Sequence, residues 1–173
     1  IRDMWRPECF DNPGRVSSND YWCTSDDGGG VHSNSGIPNH AFALLVDGGT
    51  YNSQTISGIG LTRAAHIYWY AMTTYQGPVT DFADHADALE ASCAALVGMD
   101  LPTLSTDTST PSLSGIVIST SDCDELGKAI AASGGDLAMG KRTAVVVISD
   151  GLKLCGPWQA NQNSCCWMNP APA

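Results

Sequence analysis

Seven cysteines in 173 residues, none of them in a Cys-x-x-Cys pair, constrain this chain more than any other feature. A cytosolic chain would need metal sites or thiol chemistry to account for so many. Disulfides formed in an oxidising compartment account for them more simply, so the sequence points to a secreted, extracellular protein. The count is odd, which leaves at least one thiol free or bonded to something outside this chain. Acidic side chains outnumber basic ones 18 to 8, for a formal net charge of −10. That balance excludes a nucleic-acid partner, because phosphate-backbone binding needs clustered cations. The longest aliphatic run, Ala144 to Ile148, is too short to cross a bilayer, so no membrane span is expected. Ile1-Arg2-Asp3-Met4-Trp5-Arg6 lacks the apolar centre of a signal peptide. The chain is therefore expected to be processed, or to be a piece of something longer.

The apolar pattern predicts a mainly α fold. Residues 1–30 are dense in Pro, Asn, Asp, Ser and Gly and hold no period, which reads as loop. A helix is expected from an N-cap at Ser35, with Pro38 tolerated in its first turn, through Phe42, Leu44, Leu45 and Val46 to Gly48-Gly49. Residues 52–60 read as connecting loop. Ala64, Ile67, Tyr68, Ala71, Met72 and Tyr75 then recur at three- and four-residue steps, one apolar stripe closed by Gly77-Pro78. A third helix is expected near Asp81, with Phe82, Ala86, Leu89, Cys93, Leu96 and Val97 on one face. The Ser/Thr/Pro-rich stretch 99–121 reads as exposed loop, and Ser121 as the cap of a helix bearing Cys123, Leu126 and Ile130 and closed by Gly134-Gly135. From Lys141 the character changes to a β-branched run, Val145 to Ile148, followed by Cys155, Cys165 and Cys166. The expected architecture is a helix cluster with an irregular N-terminal segment and a cysteine-rich, partly extended C-terminal tail.

One stretch carries chemistry: Asp27-Gly28-Gly29-Gly30-Val31-His32-Ser33-Asn34-Ser35-Gly36-Ile37-Pro38-Asn39. Its residues admit two readings. In the plainer one this is a Gly-rich turn leading into a helix, and His32 is an ordinary surface or core histidine. In the other, Asp27 holds His32 in one orientation across a tight glycine turn, so that the second ring nitrogen can donate to an oxyanion. His40, His66 and His85 read as helix-face residues. The spaced Asp81, Asp84 and Asp87 read as first-turn complements to a helix dipole, not as a cation site.

The motif resembles the segment of thermolysin-family metallopeptidases that supplies the histidine stabilising the tetrahedral intermediate. The resemblance continues in register through Gly48-Gly49-Thr50, Gly58-Ile59-Gly60, the stretch Leu61 to Tyr75, and Asp81-Phe82 to Leu96. Upstream, Ile1-Arg2-Asp3-Met4 resembles the element whose arginine binds a substrate carbonyl. The resemblance implies a thermolysin-like C-terminal helical subdomain over residues 1–135, with 99–121 as a loop insertion and 136–173 as a tail of unassigned role. It implies His32 as oxyanion stabiliser, Asp27 as its orienting carboxylate and Arg2 as carbonyl-binding cation. Ile1 would line the pocket that follows the scissile bond. Gly28 departs from the family, which commonly has Asn there.

The family's metal-binding motif, His-Glu-x-x-His on a helix, is absent from this sequence: no two of its four histidines stand four apart, and none precedes Glu. The resemblance therefore implies zinc, and calcium as a further ion, with ligands that are not in this chain. It makes the chain the C-terminal segment of a secreted zinc metalloendopeptidase that cleaves before a bulky apolar residue and is inert alone. The expected partners are a peptide substrate and an N-terminal zinc-binding segment or second chain, with Cys155, Cys165 or Cys166 as the site of a disulfide link. The alternative is a non-catalytic thermolysin-like structural or binding module of an extracellular assembly. Two disulfides are expected: Cys93–Cys123, tying the insertion at its base as in longer family members, and Cys9–Cys23, flanking the irregular N-terminal segment. Without the other half, the stripe around Ile67 and Met72 is expected to be left wet.

Overall fold

Burial is concentrated where the apolar stripes predict it. The structure, a computed structural model, describes residues 3–105 and 111–134. Ile1, Arg2 and the whole tail, with Val145 to Ile148, Cys155, Cys165 and Cys166, lie outside the described residues. The stripe of residues 61–75 forms helix α3 (Leu61–Thr74), which buries Ala64, Ile67 and Ala71 completely. Helix α4 (Phe82–Leu96) packs on it through Leu89 and Cys93, and α5 (Thr120–Ser133) closes the cluster with Leu126 and Ala129. The buried Ser92 hydroxyl donates to the carbonyl of Ile67 at 2.7 Å, so this polar group inside the α3–α4 contact is satisfied. A disulfide between Cys93 and Cys123, with Cα atoms 5.7 Å apart, joins α4 to the start of α5. That pairing is as expected.

Both α4 and α5 start in capping boxes. The Asp81 side chain accepts from the Asp84 backbone N–H and Asp84 reciprocates; Ser119 and Asp122 repeat the arrangement. The cap of α5 is thus Ser119, two residues before the expected Ser121. Ser119 has the extended backbone of a cap, φ −111° and ψ 166°, whereas Ser121 already lies within the first turn of the helix. Gly134 ends α5 in a left-handed conformation, φ 90°.

The segments read as loop hold two short antiparallel hairpins. Strands β1 (Gly48–Tyr51) and β2 (Gln54–Ser57) meet through Asn52 and Ser53, both left-handed, which makes a two-residue turn matched to strand twist. β2 buries Ile56 against the helices. Strands β3 (Asp100–Pro102) and β4 (Leu113–Val117) form a second pair within the stretch expected to be loop, burying Leu101. Its base is fastened to α3: Arg63 Nε donates to the Val117 carbonyl at 2.8 Å, and His66 Nε2 meets the Pro102 carbonyl at 2.8 Å.

Helix α2 (Gly36–Asp47) lies between this core and the irregular N-terminal segment, burying Leu44 and Leu45 on one side and Ile37 and His40 near its start. The N-terminal segment contains one 3₁₀ turn, Pro7–Phe10, but is otherwise irregular, as its composition predicts. It is held by particular contacts. The Val16 N–H reaches the Ser133 carbonyl at 3.0 Å, and the Tyr51 hydroxyl donates to Glu8 at 2.8 Å. A Cβ at Gly14 would sit within 2.7 Å of Glu8, His40 and Tyr51 side-chain atoms, so only glycine fits this crossing. The expected Cys9–Cys23 bridge is not formed. Cys9 is a free, exposed thiol, and Cys23 is disulfide-bonded elsewhere. In place of an internal bridge the segment has its own turns and the two bonds to α5 and β1.

Of the stripe expected to be wet, Met72 is exposed as expected, but Ile67 is wholly buried because α4 covers it. Met72 and Trp69, one step around α3, are 52% and 62% exposed. None of the helices among the described residues is long and apolar enough to cross a membrane.

Candidate active site

The chain reaches His32 through a run of left-handed backbone. Helix α1 (Asp26–Asn34) is regular only in its second part. Asp27, Gly28, Gly29 and Gly30 have φ of 55°, 57°, 84° and 78°. Consecutive residues in this region coil the backbone tightly in the sense that L side chains resist, which is why three of the four are glycine. Gly28, where the family commonly has Asn, occupies a conformation that Asn also tolerates. Asp27 is the one side chain in the run, and the coil turns it back onto the residue five positions ahead.

The Asp27 carboxylate accepts the backbone N–H of His32 through Oδ2 at 3.0 Å and pairs with His32 Nδ1 through Oδ1. The hydrogen bond from the imidazole holds the Asp27 carboxyl below the ordinary carboxylate range. Three quarters of the His32 side chain is exposed, 76%, against 29% for Asp27. With Nδ1 taken by Asp27, Nε2 is the ring nitrogen left to face a ligand. When the ring is protonated at both nitrogens, Nε2 is a hydrogen-bond donor carried on a positive charge that Asp27 balances.

Two residues not singled out by sequence reading support the turn. The Asn34 carboxamide, 4% exposed, bonds both backbone groups of Trp22. Its Oδ1 accepts from the Trp22 N–H at 2.9 Å and its Nδ2 donates to the Trp22 carbonyl at 3.0 Å. The Trp22 indole N–H in turn donates to the Asp26 carbonyl at 3.2 Å, and its side chain lies on Gly30. Downstream, the Ser35 hydroxyl donates to the His32 carbonyl at 2.7 Å. Ser35 stands at the expected boundary of α2 but makes no side-chain cap bond, since its hydroxyl is turned back toward His32.

The other histidines are built into packing. His40 stacks edge-on against Tyr51 with ring centres 4.3 Å apart, and burial pushes its pKa down. His66 is occupied by Pro102, and His85 accepts from Gln76 Nε2 at 2.7 Å. Among the described residues no group of three or more His, Cys, Asp and Glu side chains could hold a metal ion. The described residues thus offer no zinc or calcium site. Arg2 and Ile1 lie outside the described residues, so the structure brings together Asp27 and His32 only.

The profile of the thermolysin metallopeptidase alpha-helical domain matches residues 1–106. The chain is 38% identical over 98 residues to a bacillolysin of Brevibacillus brevis, an alignment covering 57% of this chain and 18% of the relative. It is 36% identical over 103 residues to a zinc metalloproteinase of Renibacterium salmoninarum, covering 56% of this chain and 19% of that protein. It is 40% identical over 98 residues to an extracellular elastase of Staphylococcus epidermidis, covering 57% and 17% respectively. The chain thus spans less than a fifth of the length of each of these relatives. The mainly helical fold, the aspartate–histidine turn that opens α2 and the profile match agree: the chain belongs to the thermolysin metallopeptidase family and carries its alpha-helical domain.

Proposed function

We propose that this chain supplies the electrostatic half of a secreted zinc metalloendopeptidase site, with His32 as donor to the oxyanion formed when a peptide bond is attacked. The carrying observation is that Asp27 takes both the backbone N–H and the Nδ1 of His32 while the ring stays 76% exposed. An imidazole that is oriented yet open to solvent can meet a substrate without rearranging, and a preorganised donor stabilises developing charge at no reorganisation cost. Asp27 is the positioning carboxylate. Arg2 would bind the substrate carbonyl, and Ile1 would line the pocket for the apolar side chain that follows the cut bond. The zinc ligands and the general base would come from a separate segment bearing His-Glu-x-x-His. The disulfide Cys93–Cys123 and the relative named as an extracellular elastase support secretion.

The test is reconstitution. The 173-residue chain is combined with a zinc-loaded N-terminal segment bearing His-Glu-x-x-His, and hydrolysis of a peptide with a bulky apolar residue is followed. Activity that requires both components is the expected result. A stable complex that never cleaves peptide would overturn the proposal in favour of a non-catalytic module.

A further inference from the structure

Resting on that reading of His32, we infer that Trp22 is a positioning residue for it, clamped in place by Asn34. The left-handed run is a single short turn, bonded from the Gly29 N–H to the Ser25 carbonyl at 3.3 Å and disfavoured for L-residues, and an exposed imidazole is held by Asp27 from one side only. Something outside the run must fix the separation of residues 27 and 32. Trp22 touches both ends. Its indole N–H bonds the carbonyl of Asp26, the residue before Asp27. Its side chain meets Gly30, two residues before His32, so closely that a Cβ there would lie 2.5 Å from Trp22 Cβ and Cδ1. Trp22 is itself fixed from two directions. Asn34, beyond His32 in the chain, pairs with both of its backbone groups, and the neighbouring Cys23 is disulfide-bonded.

The arrangement closes a ring: Asp26 to Trp22, Trp22 to Asn34, and Asn34 back through the chain to His32. Catalytic groups must sit within a fraction of an ångström of their working positions, and packing and hydrogen bonds behind them secure this. The two contacts of Trp22 divide that work. The ring blocks Gly30 from swinging outward, and the N–H holds the start of the coil.

The experiment is nitrogen-resolved NMR of the full chain, observing the proton on His32 Nδ1. A carboxylate-held imidazole N–H gives a downfield, slowly exchanging resonance, assigned here by its loss in His32→Gln. Trp22→Ala and Gly30→Ala, which remove and crowd out the same contact, are each expected to abolish it. Trp22→Phe, which keeps a ring over Gly30 but loses the bond to Asp26, is expected to weaken it without abolishing it, and Trp69→Ala on α3 to leave it unchanged. If Trp22→Ala does not fold, Gly30→Ala decides. Persistence of the wild-type resonance in a folded Trp22→Ala or in Gly30→Ala would overturn the inference. The resonance is read without substrate or zinc, so a reconstituted enzyme indifferent to His32 would refute the catalytic reading and leave this result standing.

Discussion

In the α3–α4–α5 core, Ile67, Leu89 and Leu126 are almost wholly removed from water, whereas in the Asp27–His32 turn the His32 side chain is 76% exposed. The core uses ordinary right-handed helices, capping boxes and one disulfide. The turn uses four left-handed residues and a handful of polar contacts. Burial stabilises the first in proportion to apolar area, with little demand on any single hydrogen bond. The second gains almost nothing from burial and depends on a few bonds in fixed positions. The buried core and the exposed turn therefore sit in separate places, joined by α2, which follows directly on the turn and carries Leu44 and Leu45 into the core.

The separation can be broken or sharpened by experiment. Leu126→Ala, at a position 1% exposed, is expected to cost about 2–5 kcal/mol by urea unfolding, the usual price of a core cavity. The His32 Nδ1 resonance should remain where it was; a shift would mean that core and turn are coupled. Replacing Cys93 and Cys123 together by Ser opens a link between residues 30 apart in sequence and is expected to cost about 3–4 kcal/mol on the loop-entropy model. Melting the double variant beside the parent chain checks this, again with the turn unaffected.

His85 gives the pH-dependent member of the set. Burial pushes its pKa down to about 4, and its Nδ1 accepts from Gln76, a bond that only the unprotonated nitrogen can make. The unfolded chain keeps the ordinary histidine value of about 6.5 and so binds the proton first as pH falls. The stability tied to neutral His85 is complete above that value, is lost between it and about 4, and changes no further below. The loss is up to about 3 kcal/mol, and His85→Gln should flatten the stability profile over that window. Asp27 runs in the same sense as His85, its contribution also being lost as pH falls, but lower on the pH scale. Its lowered pKa keeps the carboxylate paired with His32 throughout that window, and the pairing fails only below the ordinary carboxylate range.

Much of the core was legible because its signal is periodic. The stripe of Ala64, Ile67 and Ala71 and the face of Leu89, Cys93 and Leu96 repeat over several turns, and tertiary packing only confirmed what the spacing had already required. The hairpins were not legible. Gln54–Ser57 and Asp100–Pro102 are too short to show an alternation, and both pairs are set by partners on another strand. The turn at Asn52-Ser53 lacks the glycine that usually announces a left-handed pair. Asp27 and His32 were legible from the motif, five residues apart across glycines. Trp22 and Asn34 were not, because their bonds link residues twelve apart through backbone groups that any residue at position 22 would offer. Cys9 and Cys23 were misjudged for a related reason. The scarcity of apolar residues between them suggested a bridge, but the segment is held by its own turns and by bonds from Val16 to α5 and from Tyr51 of β1 to Glu8.

The central claim is that His32, oriented by Asp27, stabilises charge that develops on the substrate. The most direct measurement is turnover of the reconstituted enzyme carrying His32→Phe, with zinc content determined on the same sample. The account predicts a fall in kcat of about two to three powers of ten, the usual cost of deleting an oxyanion donor, with zinc content unchanged. Full turnover in the Phe variant would contradict it.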